Sequence, residues 1–362
     1  MSTKRQELYD RLYYKFPRWY QSLFANYALI ATTIRQHCDK NFHEAFRHVI
    51  RPYWKQYGVR VKKYWYKYLY ELSGELNPRY LPHILFSRDI VPHFDNPMFI
   101  RQLADKNLHS LLFPTVKRPS TIFKYMDGAF RDDDLSRISE QEAFARLQSV
   151  DSFIVKPTRD TGQGKNVLLV KASKDIESLK EILAPYQAHD FIVQKIVSQH
   201  PSIAKFNPTS LNTIRIVTLV FHNEVHVLSS ILRIGSKNST VDNVSAGGYQ
   251  CTILPDGTLD KLAYHPPKGN ESPFVEKNDD GLYFGGFAVP SFDRILETTK
   301  TLAAKMPHLQ LIGWDVAVDE DGDVVLIEFN SEIGQNQATC GPTFGALTED
   351  VLAEVYGKTH KK

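Results

Sequence analysis

The sequence predicts a mixed α+β protein, with strand-rich lobes preceded by a helical, aromatic-rich segment. Three observations carry that reading. Between Glu7 and about Leu72, apolar and aromatic positions recur at steps of three and four (Leu8, Leu12, Phe16, Trp19, Leu23, Tyr27), the period of an amphipathic helix. From Ser139 onward, short apolar strands alternate with one or two helices, and after Ile214 strands dominate. A length of 362 residues allows two or three units at about 150 residues per domain.

In the first segment Pro17 and Pro52 must mark helix starts or breaks, because proline lacks the amide hydrogen a helix interior needs. Residues 73–135 are punctuated by Pro78, Pro82, Pro92, Pro97, Pro114 and Pro119, with one helix expected from Asn96 to Asn107. Ser139 followed by Glu142 resembles a capping box and opens a helix. Strands follow at Phe153–Lys156 and Val167–Val170, then a helix at about Ile176–Leu183 and a strand at Phe191–Ile196. The remainder reads as strands at Ile214–Phe221, Val225–Leu232 and Gln250–Leu254, a helix at about Ser291–Lys305 and a hairpin at Leu311–Phe329.

Composition excludes several classes. Apolar residues make up 42% and charged residues 23%, which is ordinary globular usage rather than disorder. Three cysteines without CxxC spacing (Cys38, Cys251, Cys340) indicate neither a disulfide framework nor a zinc site. The most apolar stretch, Trp19–Ile34, is broken by Gln21, Asn26 and two threonines, short of the ~20 apolar residues of a spanning helix. The start lacks the apolar core of a secretory signal, so a cytoplasmic location is expected. The overall charge of +3 conceals an asymmetry: residues 1–70 hold 14 Lys and Arg against 4 Asp and Glu, a net of +10, and 18 of the 43 aromatics.

The strongest chemical signal is the hairpin Gly313-Trp-Asp315 … Ile327-Glu-Phe-Asn330. A two-residue turn at Asp321-Gly322 would set Asp315 directly opposite Glu328, with Asn330 on the same face. Like charges placed opposite each other repel, and a cation between hard oxygen donors resolves the repulsion, pointing to Mg²⁺ or Mn²⁺. The competing reading is a solvent-facing hairpin with incidental acids. A second signal is Phe153-Ile-Val-Lys156-Pro, followed by Thr161-Gly162-Gln-Gly164. Its glycines would let backbone amides turn toward an anion, although an ordinary glycine-containing hairpin would look the same. Lys156, directly after three apolar residues, is costly to pack unless its ammonium finds an anionic partner. A third cluster, Asn212-Thr-Ile-Arg215, with Arg233 at the end of the next strand and Asp242-Asn243 and Gly247-Gly248 beyond, offers two arginines for a phosphate or carboxylate, or for surface ion pairs.

Taken in order, Ala104-Asp-Lys-Asn107, Phe153–Pro157, Thr161–Gly164, Phe191–Ile196, Asn212–Arg215, Asp242-Asn243 with Gly247-Gly248, Gly313–Asp315 and Ile327–Asn330 resemble the ATP-grasp superfamily, in its sugar-transfer-associated branch. The resemblance covers roughly residues 80–345. It implies an ATP-grasp fold, two α+β lobes gripping ATP with the glycine loop as lid; residues 1–75, helical and basic, lie outside that core, 76–138 form a preceding segment, and 139–362 form the lobes, with nucleotide at about 139–200 and metal and substrate at 201–350. It further implies that Lys106 and Lys156 touch the phosphates with Thr161, Gly162 and Gly164, and that the Gln194, Lys195 and Ile196 backbone meets adenine. Asp315, Glu328 and Asn330 would hold Mg²⁺, and Arg215, Arg233 and Lys156 would serve the chemistry.

Two departures stand out. No carboxylate follows the adenine hinge in Val197–Pro201, and Gly313 stands where many amino-acid ligases carry arginine. The implied reaction is ATP-dependent ligation of a carboxylate to an amine through an acyl phosphate, on a sugar or glycan precursor of surface polysaccharide. The alternatives are a phosphotransferase acting on a sugar hydroxyl and a nucleotide-binding scaffold. Asn336, Gln337 and Thr343 are candidates for the acceptor side. For residues 1–70 the expectation is divided between packing onto the lobes and peripheral contact at the inner face of the membrane through Arg60–Tyr70, with nucleic acid not expected.

Overall fold

The computed structural model describes residues 40–159, 166–171, 175–266, 272–331, 333 and 336–357. The chain divides into two compact units, Asp95–Gly334 and a second in which Met1–Phe94 associates with Gln335–Lys362.

The larger unit contains two antiparallel sheets. The first has five strands in the order β2-β1-β5-β3-β4: β1 (Thr121–Met126), β2 (Ala129–Arg131), β3 (Ser152–Pro157), β4 (Leu168–Lys171) and β5 (Phe191–Lys195). Helices Glu140–Leu147 and Ile176–Leu183 cover one face and bury Phe144, Leu147, Leu179 and Leu183 against Phe123, Phe153 and Phe191. The first helix is capped as its sequence predicts: the Glu142 amide donates to Ser139 Oγ at 3.1 Å.

The second sheet has seven strands in the order β10-β9-β8-β7-β6-β11-β12. They are β6 (Ile214–Phe221), β7 (Glu224–Ile234), β8 (Tyr249–Ile253), β9 (Leu259–Tyr264), β10 (Phe274–Val275), β11 (Leu311–Val318) and β12 (Val324–Asn330). The helix Phe292–Lys305 buries Ile295, Leu302 and Ala303 on one face of this sheet, in a core with Ile216, Trp314 and Phe329. Because side chains alternate along a strand, Arg215, Asp315, Glu328 and Asn330 occupy the opposite face.

The single helix expected over Asn96–Asn107 is interrupted. Pro97–Leu103 is helical, and Asp105 then caps a new turn, its carboxylate accepting from the Asn107 amide at 3.0 Å.

The β11–β12 hairpin reaches the expected pairing by a different route. Its loop has three residues, Glu320-Asp321-Gly322: the Asp319 amide donates to Asp323 O and the Gly322 amide to Asp319 O, each at 3.0 Å. Gly322 adopts φ +82°, a left-handed conformation that glycine takes without a Cβ penalty. Pairs then run from Val318↔Val324 to Val316↔Leu326, and a bulge at Ile327 restores Asp315↔Glu328. One extra loop residue and one extra strand residue cancel.

In the smaller unit Phe42, Phe46, Ile50 and Trp54 are buried at a strict four-residue spacing. Lys40–Ala45, a π-helical stretch Phe46–Ile50 and Arg51–Lys55 run on continuously. Pro52 explains the wide turn, since it cannot donate into the helix, and the Arg51 amide donates five residues back to Phe46 O. Pro17 lies outside the described residues. Helix Lys63–Ser73 turns Trp65, Tyr66 and Leu69 inward, and the single hydroxyl hydrogen of Tyr66 is shared between Pro78 O and Tyr80 O, 2.9 and 2.7 Å from its Oη. The C-terminal helix Thr348–Gly357 is tied to this unit through Glu349, which accepts from Tyr53 Oη at 3.0 Å and Arg79 Nε at 2.8 Å.

Candidate active site

The site is built where strands of the larger unit bring separate motifs side by side. Arg215 on β6 is the direct cross-strand neighbour of Asp315 on β11, and its guanidinium grips that carboxylate through both Nε and Nη2, the latter at 2.8 Å. Arg233 Nη1 reaches the same Oδ2 at 3.2 Å, and Asn330 Nδ2 donates to it at 3.1 Å. Asp315 is only 3% exposed. Burial, the largest influence on its carboxyl, favours the neutral acid, but Arg215 and Arg233 outweigh it and hold the group below the usual carboxylate range.

Gly313 makes this packing possible. A Cβ there would stand 3.1–3.4 Å from Arg215 Nη1, Cδ and Nε, so the side chain of Arg215 lies over the space that glycine leaves. The position where many amino-acid ligases would carry arginine is thus overlain by an arginine from the neighbouring strand. Behind the pair, the Arg233 amide donates to Thr213 O at 2.8 Å, and Asp242 accepts from the Thr213 amide at 3.0 Å and from its hydroxyl. Gly248 lets the Asp242–Asn243 backbone close in, since a Cβ would fall 2.8 and 2.9 Å from their carbonyl oxygens. Asn212 has a structural role: Nδ2 donates to Gln199 Oε1 and Asn207 O, while Oδ1 accepts from the Gly235 amide.

The two lysines arrive from separate segments. Lys106 Nζ pairs with Glu328 Oε2 at 3.1 Å, and the Lys106 amide donates to Thr158 O, two residues beyond Lys156 on β3. Burial pushes the Lys156 ammonium down to about 8; Glu328 opposes that fall and Lys106 adds to it. Lys124 was not singled out by the sequence. It is fully buried and donates to Asn107 O (2.9 Å), Ser110 Oγ (2.7 Å) and Asp133 O (2.7 Å), fixing the segment that carries Lys106. The only sequence signal was its place in Ile122-Phe-Lys-Tyr-Met, a charge inside an apolar strand.

Other expectations fare differently. The Lys195 amide donates to Ser120 O at 2.8 Å, and Ile196 follows the last ladder pair, Phe153↔Lys195. Gln194 is buried with its Nε2 directed to Pro119 O at 3.4 Å. Thr161, Gly162 and Gly164 lie outside the described residues. Gln337 belongs to the smaller unit; Leu81 N donates to its Oε1 at 2.8 Å and its Nε2 donates to Leu81 O at 2.9 Å, so both ends of its amide are committed.

The donor chemistry partly fits a hard divalent cation. Glu328 meets Lys106 through Oε2, and Asn330 meets Asp315 through its amide nitrogen, so each keeps an oxygen with no partner among the described residues. Asp315 already accepts four hydrogen bonds and would share a cation only by releasing one of them. Among the described residues no three of His, Cys, Asp and Glu cluster as metal ligands.

Several solved structures align with the chain at low identity. The ATP-grasp ligase PsnB in complex with its minimal precursor aligns at 12% identity and TM-score 0.40, over 72% of this chain and 64% of that one. The L-amino acid ligase from Bacillus licheniformis aligns at 15% identity and TM-score 0.36, over 72% and 48%. The D-Ala:D-Ser ligase VanG from Enterococcus faecalis aligns at 13% identity and TM-score 0.40, over 74% and 63%. The chain therefore spans between about half and two thirds of the length of these proteins. No curated protein matches the sequence. Residues 77–340 match the family described as sugar-transfer associated ATP-grasp, and the chain belongs to that family.

Proposed function

We propose that the protein is an ATP-dependent carboxylate–amine ligase acting on a sugar or glycan precursor of surface polysaccharide. The observation that carries the reading is the convergence of Arg215 and Arg233 on one carboxylate, beside the Lys106–Glu328 pair and Lys156. Four cationic side chains within one unit suit a triphosphate together with a second anion, the substrate carboxylate.

In this reading Lys106 exchanges Glu328 for a phosphate oxygen and Lys156 meets the phosphates from β3. A substrate carboxylate oxygen attacks the γ-phosphorus and ADP leaves. An amine then attacks the acyl carbon and inorganic phosphate leaves. Arg215 or Arg233 would face the tetrahedral oxyanion, where a fixed guanidinium is worth most because water is excluded. Glu328 and Asn330 would hold Mg²⁺ or Mn²⁺, joined by Asp315 on release of a hydrogen bond, and the cation would neutralise charge on the transferring phosphoryl group. The glycan context rests on the family's description as sugar-transfer associated, and a need for ATP would favour a cytoplasmic setting.

The test is ADP release across a panel of sugar acids and amines. Release that requires both partners, with an amide product, supports the ligase. ADP formed with a hydroxyl acceptor alone would replace it with a phosphotransferase, and no turnover with any acceptor despite nucleotide binding would favour a scaffold.

A further inference from the structure

The smaller unit carries a charge pattern that its own folding does not explain. Residues 41–63 contain six Lys and Arg (Arg47, Arg51, Lys55, Arg60, Lys62 and Lys63) and one acid, Glu44. All six are exposed, and none forms an ion pair with any described residue. Arg47, Arg51 and Lys55 follow one another at four-residue steps, each one position after a buried residue of the Phe46, Ile50, Trp54 stripe. They therefore form one outward row along a continuous helical stretch. Like charges at that spacing destabilise a helix. Lys62 and Lys63 sit at the start of helix Lys63–Ser73, which has no acid in its first turn and no side-chain cap, so they face the positive end of its dipole. Two independent placements thus work against local stability.

We propose that this face, the Arg47–Arg51–Lys55 row with Arg60, Lys62 and Lys63, docks on an anionic phospholipid surface. Attachment of this kind is peripheral, since among the described residues no helix is long and apolar enough to cross a membrane. The array consists of exposed point charges, which suit a headgroup layer. Single-stranded nucleic acid, whose grooves present aromatic rings for base stacking, is the weaker fit, because Trp54, Trp65 and Tyr66 are buried and only the half-buried Tyr53, Tyr57 and Tyr64 lie among these charges. The run Arg60–Tyr70 therefore contributes through its first basic residues, while its central aromatics hold the unit together. Residues 71–362 carry 30 Lys and Arg against 37 Asp and Glu, so an anionic surface would repel the remainder of the chain and select this face.

The experiment is co-sedimentation of the full chain with vesicles, either pure phosphatidylcholine or with about one lipid in three replaced by phosphatidylglycerol. Each basic residue near such a surface is worth about fivefold in partitioning, so R47Q/R51Q/K55Q should weaken binding roughly 100-fold. A control with the same charge change in the larger unit, K277Q/K300Q/K305Q, should pellet like the unaltered protein. An unchanged melting temperature and nucleotide affinity in the first variant would show that it folds. Salt-sensitive pelleting with anionic vesicles only, lost in the first variant and kept in the control, supports the proposal. It is overturned if the protein stays in the supernatant at low salt, if R47Q/R51Q/K55Q pellets normally, or if an RNA oligonucleotide binds this face while vesicles do not.

Discussion

Replacing Lys156 with methionine should make the ligand-free protein more stable and a poorer binder of nucleotide. The ammonium lies at the end of β3, where burial lowers its pKa from the ordinary 10.5 to about 8. At about 1.4 kcal/mol per unit, that shift corresponds to about 3 kcal/mol of cost for keeping the lysine charged. The side chain is partly exposed, and solvent screening reduces the expected gain to about 1–2 kcal/mol, or roughly 3–6 °C for a unit of this size. The sign follows from linkage. Below pH 8 the lysine is charged both folded and unfolded, and the folded state bears the full cost. Between about 8 and 10.5 the unfolded chain binds more protons, so the unaltered protein gains stability with pH and the difference closes. Melting curves at pH 7, 8 and 9.5 measure this. Calorimetric titration with a non-hydrolysable ATP analogue should show affinity lower by about tenfold or more, the worth of a charged hydrogen bond. A lower melting temperature for Lys156→Met at pH 7, or unchanged nucleotide affinity, would refute the reasoning.

Glu328→Gln should abolish turnover yet shift the apo melting temperature by only a few degrees, because its partly exposed pair with Lys106 contributes about 1 kcal/mol at most; ADP release and calorimetry read the two effects. Gly313→Ala should reduce turnover about tenfold or more with little loss of stability, since a Cβ 3.1–3.4 Å from the Arg215 side chain displaces the guanidinium by tenths of an ångström. Steady-state kinetics showing full activity would free Arg215 from its assigned role. Asp95 accepts from the Gln310 and Leu311 amides at 2.8 and 2.9 Å, and burial raises its carboxyl to about 7. The folded state therefore holds its proton longer than the unfolded chain, and stability should decline as pH rises from about 4 to 7. Asp95→Asn should flatten that decline in denaturant titrations across the range.

What the sequence determined by itself is local. The strand and helix periods alone define Ile214–Phe221 and Ile176–Leu183 with the bounds they have in the fold, the helix capped by Asp175, because alternation along a few residues depends only on burial of one face. The hairpin spacing sets Asp315 opposite Glu328 although the loop is one residue longer than the spacing predicts, since a bulge at Ile327 compensates, and a bulge leaves no mark in an all-apolar run. The identity of the fold came from ordered motifs, each local as well.

Tertiary structure decided what touches what. Nothing near Asp315 in the chain announces that Arg215, a hundred residues earlier, lies beside it, or that Gly313 is small to admit that arginine. The burial of Lys124 beneath the Lys106 segment, and the capture of Gln337 by Leu81, equally join parts remote in sequence. The order of strands in a sheet is set by which apolar faces pack together over the whole unit, and so is the placement of C-terminal residues with N-terminal helices. A charge buried by that packing acquires its pKa and its partner only when the neighbours arrive, and Lys156 is a strained cation for that reason.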